Sequence, residues 1–298
     1  MAELPDQHGR TAVVTGGNTG VGFETARALA DRGAHVLLAC RDPERGERAA
    51  GQLTGDVSVV RLDLASLASV HAAAEQLKAA VPRLDLLINN AGVMNVPYQR
   101  TPDGFESTFA TNHLGHFALT GLLLDRLLAA DGSRVVTVSS IAHRRGKADF
   151  TDRTTESYRA GSAYEESKLA NLLFTYELDR RLADAGPRAL AAHPGIVGTR
   201  LWRTSTGFER LMVSDRLRAL NFWYAQDSAH GALPTLRAAT DPDARGGEYY
   251  GPGRWFEATG APVRVESTAV SHDETAQRRL WELSERLTGV RYPLPVHR

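Results

Sequence analysis

Tyr164-Glu-Glu-Ser-Lys168 sets a phenol and a primary amine at i and i+4, the spacing that puts two side chains on one face of a helix. An ammonium beside a phenol favours the phenolate and brings its pKa down from about 10. A tyrosine placed this way can trade a proton with a carbonyl or alcohol oxygen near neutral pH. Ordinary solvated helices carry the same spacing, so the pair alone marks only candidate acid–base chemistry. A second segment, Thr15-Gly-Gly-Asn-Thr-Gly-Val-Gly22, has glycines at 16, 20 and 22. Glycine permits a tight turn and close approach of a pyrophosphate, and a helix N-terminus behind it offers N–H groups and positive potential. The spacing differs from G-x-G-x-x-G, and a βα loop without a ligand is the alternative reading. A third candidate, Arg41, falls about twenty residues after Gly22, where NAD sites keep a carboxylate for the ribose. Neither Ala39 nor Cys40 is acidic, and the planar fork of Arg41 suits a 2′-phosphate. NADP(H) is therefore expected in preference to NAD(H). Asp42 then reads as the cap of the next helix. An ordinary surface Arg–Asp pair is the competing interpretation.

The elements that must position these residues alternate between strand and helix. Apolar runs at Thr11–Thr15, Ala34–Cys40, Val57–Leu62, Leu84–Ile88, Ser133–Ser139 and Arg188–Ala192 read as buried strands, with a short last strand at Glu248–Tyr250. Helical patterns lie between them at Gly20–Arg32, Pro43–Leu53, Ser66–Val81, Thr108–Ala130 and Ser162–Ala185. A helical region follows from about Leu201 to Ala239, and a final helix at Asp273–Leu287. Repeated βα units predict an α/β protein with a Rossmann-type doubly wound parallel sheet. No linker or repeat divides the chain, so residues 1–298 are expected to form a single domain. Its substrate-side elaborations are expected at about 142–161 and 200–226.

Composition excludes several function classes. The 298 residues hold 35 Lys plus Arg against 35 Asp plus Glu, a net charge of zero that argues against nucleic acid as partner. The most apolar stretch, Leu119–Ala130, is interrupted by Asp125 and Arg126 and is short for a bilayer span. With a polar N-terminus, the expectation is a cytoplasmic protein with no membrane partner. One cysteine, Cys40, excludes an intrachain disulfide and a thiolate metal cluster, and reads as a packing residue. His113 and His116 stand three apart on a helix, but no carboxylate–His arrangement completes a site, so no metal is expected.

Taken together, the motifs resemble the short-chain dehydrogenase/reductase superfamily in its single-domain form, over about Gly9 to Leu287. The matching residues are the glycine turn, Asp63-Leu64, Asn89-Asn90-Ala91-Gly92, Asn112, Ser139-Ser140, Tyr164 with Lys168, and Pro194-Gly195, in the family's order. The resemblance implies a nicotinamide oxidoreductase. In it Gly16, Asn18, Thr19, Gly20, Val21 and Gly22 line the diphosphate and adenosine ribose, and Arg41 meets the 2′-phosphate. It implies further that Asp63 and Leu64 flank the adenine, and that Asn90, Ala91 and Gly92 pass beside the cofactor. Pro194, Gly195, Val197 and Thr199 would surround the nicotinamide. The implied catalytic set is Asn112, Ser140, Tyr164 and Lys168. Tyr164 is the acid/base, Lys168 holds the ribose and depresses the Tyr164 pKa, Ser140 polarises the substrate oxygen, and Asn112 anchors a relay water. Family members often dimerise through the two long helices, so a homodimer is an open expectation.

Ala39-Cys-Arg-Asp42, Asn112-His-Leu-Gly-His-Phe117 and the long gap between Ser140 and Tyr164 resemble the retinol dehydrogenase-like and protochlorophyllide reductase-like branch. Protochlorophyllide reductase itself keeps cysteine near its pigment, whereas Cys40 lies at the adenosine end. The apolar stretch from Leu201 to Tyr224 follows the Pro194-Gly195 turn, where the family places a substrate lid. The expected activity is an NADP(H)-dependent carbonyl reductase or alcohol dehydrogenase acting on a lipophilic or aromatic small molecule. Two other functions compete. A non-catalytic NADP-binding sensor commonly lacks the Tyr/Lys pair. An extended-family epimerase or dehydratase commonly carries T-G-x-x-G-x-x-G, which the turn does not match.

Overall fold

The computed structural model describes residues 4–151, 154–182, 185–197 and 226–294. Thr199 and the expected lid, Leu201 to Tyr224, lie outside the described residues, as do Asp152 and Arg153 of the expected 142–161 elaboration.

Strand β1 (Thr11–Thr15) leads through the glycine turn into α1 (Gly20–Ala30), followed by β2 (His35–Cys40), α2 (Pro43–Ala50), β3 (Val57–Arg61), α3 (Leu67–Ala80) and β4 (Leu86–Asn89). The second half holds α4 (Ser107–Phe109), a π turn (Ala110–Leu114), α5 (Gly115–Leu122), α6 (Leu124–Leu128), β5 (Arg134–Val138), a 3-10 turn (Ile141–Arg145), α7 (Ala160–Leu182) and β6 (Arg188–Ala192). Helix α8 (Ser228–Thr240), strands β7 (Tyr249–Arg254) and β8 (Thr259–Arg264), and helix α9 (Glu274–Thr288) complete it. The strands form one eight-stranded sheet in the order β3-β2-β1-β4-β5-β6-β7-β8. β1 to β7 are parallel and β8 is antiparallel to β7.

Both faces of the sheet are covered, which explains why its strands are apolar throughout rather than alternating. Val13, Leu37, Leu87 and Val135 pack against α3, α5 and α7 on one face. Ala12, Val14, Leu38, Ile88 and Val136 pack against α1 and α8 on the other. The chain reverses direction of winding between β1 and β4. Their carboxyl ends open the crevice where doubly wound sheets bind ligands.

The structure corrects the sequence reading at two places. The helix expected over Thr108–Ala130 is interrupted: Gly115 N–H donates to Ala110 O across the π turn, and the axis breaks again at Leu123 (φ −98°, ψ 5°). The strand expected at Glu248–Tyr250 continues to Arg254 and turns back as β8, so the parallel sheet ends in an antiparallel edge. Helix α9 packs against α5, α7 and the π turn. Trp281 stacks on Phe174 and meets Phe117 edge-on, and His113 Nε2 bonds Ser284 Oγ at 2.8 Å.

Candidate active site

The glycine turn begins where β1 ends. Gly16 (φ 64°) and Gly20 (φ 58°) take left-handed conformations that a Cβ resists. Gly22 is needed for a different reason: a Cβ there would collide with the Asn90 amide and stand 2.5 Å from Gly16 O. Asn18, Thr19 and Val21 lie on the same loop and first turn. Thr19 is the N-cap of α1 but makes no side-chain cap, and no acidic residue occupies the first turn. Helices α2 and α3 are capped by Asp42 and Ser66 side chains instead. The amides of α1 therefore face the crevice without a side-chain acceptor, as an anion site requires.

Thr15 ties this turn to the segment after β4. Its Oγ1 accepts from Asn90 N–H (2.9 Å) and Ala91 N–H (3.0 Å) and lies 2.9 Å from His116 Nε2. His116 Nδ1 faces the Asn112 carbonyl at 3.1 Å and must carry the proton there, so Nε2 accepts the Thr15 hydroxyl hydrogen. Burial holds His116 neutral, with a pKa of about 4. Both histidines of the pair are thus committed to hydrogen bonds within the fold. Asn90 Nδ2 donates to Thr15 O at 2.8 Å.

Arg41 is exposed just past β2. Asp42 caps α2 by accepting from Arg45 N–H at 3.1 Å, as the sequence indicated. Cys40 is buried beside it with its thiol raised first by burial, in keeping with a packing residue. Asp63 Oδ1 accepts from Ala65 N–H at 3.0 Å, which leaves Oδ2 for a further donor. Leu64 is buried and pressed against Gly115, where a Cβ would collide with Leu64 O.

Asn112, Lys168 and Gly92 meet below the crevice. A Cβ on Gly92 would stand 3.2 Å from Asn112 Oδ1 and 3.4 Å from Lys168 Nζ. Asn112 Oδ1 accepts from Val93 N–H (2.8 Å), while Nδ2 donates to Val93 O (3.0 Å) and Ser167 Oγ (2.9 Å). Both amide hydrogens are spent, so the side chain braces the backbone. Asn112 lies within the π turn that accompanies this brace.

Ser139 and Ser140 divide their work. Ser139 is buried and donates to Lys168 O at 2.8 Å, a structural bond. Ser140 is half-buried and its Oγ accepts from Ala142 N–H at 3.2 Å. That leaves the Ser140 hydroxyl hydrogen to donate, and the hydroxyl favours the phenolate of Tyr164. Lys168 lies one helical turn on, with Nζ 5.7 Å from the Tyr164 ring centre, and donates to Val138 O at 3.0 Å. Asn171 Nδ2 donates to the same carbonyl, a partner that the sequence reading missed. The expected depression of the Tyr164 pKa by Lys168 is not found. Burial raises the phenol, with Ser140 pulling the other way, and burial lowers the Lys168 ammonium to about 8. Both groups lose water, and that disfavours the charged form of each.

Pro194 and Gly195 follow β6, on the same carboxyl edge as Ser140. Gly195 (φ 68°) has no room for a side chain, since a Cβ would collide with Ala258 O and stand 2.8 Å from Pro252 Cγ. Val197 is buried and bridges to Gln226. The sequence reading gave no site role to Thr15, Arg144, His193 or Glu257. The last three carry no motif, and only the fold brings them together.

A family model described as short chain dehydrogenase matches residues 10–209. The chain is 43% identical to human retinol dehydrogenase 12, over 95% of this chain and 88% of that protein. It is 40% identical to mouse retinol dehydrogenase 14, over 95% and 87%. A crystal structure of an uncharacterized protein from Mycobacterium Paratuberculosis superposes with a TM-score of 0.81 at 45% identity, covering 98% of each chain. The Pseudomonas aeruginosa RhlG/NADP active-site complex superposes with a TM-score of 0.67 at 25% identity, over 84% of this chain and 96% of that one.

Proposed function

Because the chain belongs to the short-chain dehydrogenase family, in its retinol dehydrogenase-like branch, we propose that it is an NADP(H)-dependent oxidoreductase with Tyr164 as acid/base. Its substrate in this reading is a lipophilic or aromatic carbonyl compound or the matching alcohol. The observation that carries the reading is the meeting of Ser140, Tyr164 and Lys168 at the carboxyl edge of the sheet, beside the glycine turn.

The crevice suits a dinucleotide: α1 offers amides with no side-chain acceptor, and the positive-φ glycines leave its approach open. Gly16 to Gly22 would hold the diphosphate and ribose, and Arg41 the 2′-phosphate. Asp63 Oδ2 and Leu64 would meet the adenine, and Asn90, Ala91 and Gly92 the nicotinamide ribose. Pro194, Gly195 and Val197 would line the ring, with Thr199 on its carboxamide. When bound, the nicotinamide supplies or takes the hydride. Ser140 donates to the substrate oxygen and polarises it. Tyr164 gives that oxygen its proton in reduction and removes it in oxidation. Lys168, with a pKa of about 8, keeps a positive charge near the phenol at neutral pH. Two ammonium hydrogens remain beyond the one given to Val138, and they would grip the ribose hydroxyls.

The preference for an apolar substrate is supported by exposed Ile196, Trp255 and Phe256 on the same edge of the sheet, and by the names of the relatives. A panel of carbonyl compounds assayed with NADPH and NADH tests the reading, with Arg41→Asp as control. Turnover is expected with aromatic or long-chain aldehydes and NADPH, and Arg41→Asp should weaken NADPH more than NADH. No oxidation of NADPH with any member, or equal losses for both cofactors, would count against the activity or against the role of Arg41.

A further inference from the structure

The tip of the β7–β8 hairpin runs Trp255-Phe256-Glu257, with φ of 51°, 54° and 65°. None of the three is glycine, and side chains with a Cβ adopt this left-handed region at a cost. A run of such residues persists only where other contacts over-determine it. Phe256 is 92% exposed and supplies little of that restraint, whereas Glu257 turns inward.

Each carboxylate oxygen of Glu257 has its own partner. Oε1 accepts from Arg144 Nη2 at 2.6 Å, and Oε2 accepts from His193 Nε2 at 3.0 Å. His193 is fully buried, and its Nδ1 accepts from Gly195 N–H at 3.2 Å. The Nε2 of a neutral ring must then bear the hydrogen given to Glu257. Burial keeps that ring neutral by lowering its pKa. The next residue extends the tie, because Ala258 O accepts from Ile196 N–H at 2.9 Å. Arg144 belongs to the 3-10 turn that Ser140 caps, and His193 leads directly into Pro194-Gly195. One carboxylate therefore joins three separate segments of chain at the carboxyl edge of the sheet.

We propose that Glu257 is a positioning residue, whose carboxylate fixes the Pro194–Gly195 turn relative to the Ser140 segment and so sets where a nicotinamide ring lies against Ser140 and Tyr164. This rests on the NADP(H) reading given above. Glu257 acts only through Arg144 and His193. Glu257→Gln keeps the shape but presents one acceptor and one donor to two donors, so one of the two ties must break.

The test compares equilibrium binding of NADPH with that of 2′-phospho-ADP-ribose, which lacks the nicotinamide. It uses the full chain, Glu257→Gln, and Arg144→Gln as a second way to cut the bridge. Both variants should bind NADPH about tenfold more weakly, the scale of one hydrogen bond to a charged group. Both should bind the truncated ligand as the unaltered chain does. Equal losses for the two ligands would mean that Glu257 only supports the fold, and would overturn the proposal. Unchanged NADPH affinity would overturn it too. If Glu257→Gln does not fold, Arg144→Gln decides between these outcomes. An unaltered chain that binds neither ligand would refute the cofactor reading, and the positioning role with it.

Discussion

Replacing Lys168 by methionine should make the protein more stable at neutral pH while removing a residue assigned to its chemistry. Lys168 is only 4% exposed, and burial lowers its ammonium from 10.5 to about 8. At about 1.4 kcal/mol per pKa unit, the charged side chain costs the fold about 3 kcal/mol at pH 7. Methionine fills a similar volume without that penalty. The lost bond to Val138 O removes about 1 kcal/mol, and Asn171 still satisfies that carbonyl, so no buried acceptor is orphaned. The net gain is about 2 kcal/mol, which raises Tm by roughly 3 °C for a chain of this size. The pH dependence has a definite sign. The folded-state pKa lies below the unfolded one, so the fold favours the neutral amine. Its penalty is complete below about 8 and fades as pH rises to 10.5. Thermal unfolding of both proteins between pH 7 and pH 10.5 should show the advantage of Lys168→Met shrinking to nothing or reversing. A variant less stable than its parent at pH 7, or a gain independent of pH, would refute the reasoning.

Gly115→Ala would drive a Cβ into Leu64 O and to 2.9 Å from Leu64 Cβ, so it should cost about 1–3 kcal/mol in urea unfolding. It should also weaken binding of 2′-phospho-ADP-ribose by displacing the Asp63–Leu64 segment; unchanged affinity would detach that segment from the adenosine site. Thr15→Val preserves shape but strands the N–H of Ala91, while Asn90 N–H keeps its bond to Ile88 O, and should cost about 1–3 kcal/mol in the same measurement. A loss below about 0.5 kcal/mol would show that the Ala91 amide finds another partner.

The doubly covered sheet was legible because its strands are apolar on both faces, as Ala12, Val13 and Val14 illustrate by packing in different directions. The π turn was not, since Ala110-Thr-Asn-His-Leu114 has an ordinary helical pattern. The brace between Asn112 and Val93, distant in sequence, accompanies the extra residue. The β7–β8 hairpin was hidden twice over. Gly251-Pro252-Gly253 reads as a break rather than a strand, and Trp255-Phe256-Glu257-Ala258 contains none of the glycine or asparagine that a left-handed turn favours. Tertiary contacts of Glu257 and Ala258 help to hold that turn. At the site, helical spacing correctly set Tyr164 and Lys168 on neighbouring turns. It carried no information on their desolvation or on the Val138 carbonyl that takes the amine. The separation of Ser139 from Ser140 likewise depends on which hydroxyl reaches Lys168 O across the fold.

The most direct test of the account is turnover by Tyr164→Phe, measured with NADPH and an aromatic or long-chain aldehyde that the unaltered chain reduces. Loss of the one proton donor should lower kcat by about a hundredfold to ten-thousandfold, with NADPH binding kept. Turnover within tenfold of the unaltered chain would contradict the assignment of Tyr164 as the acid/base.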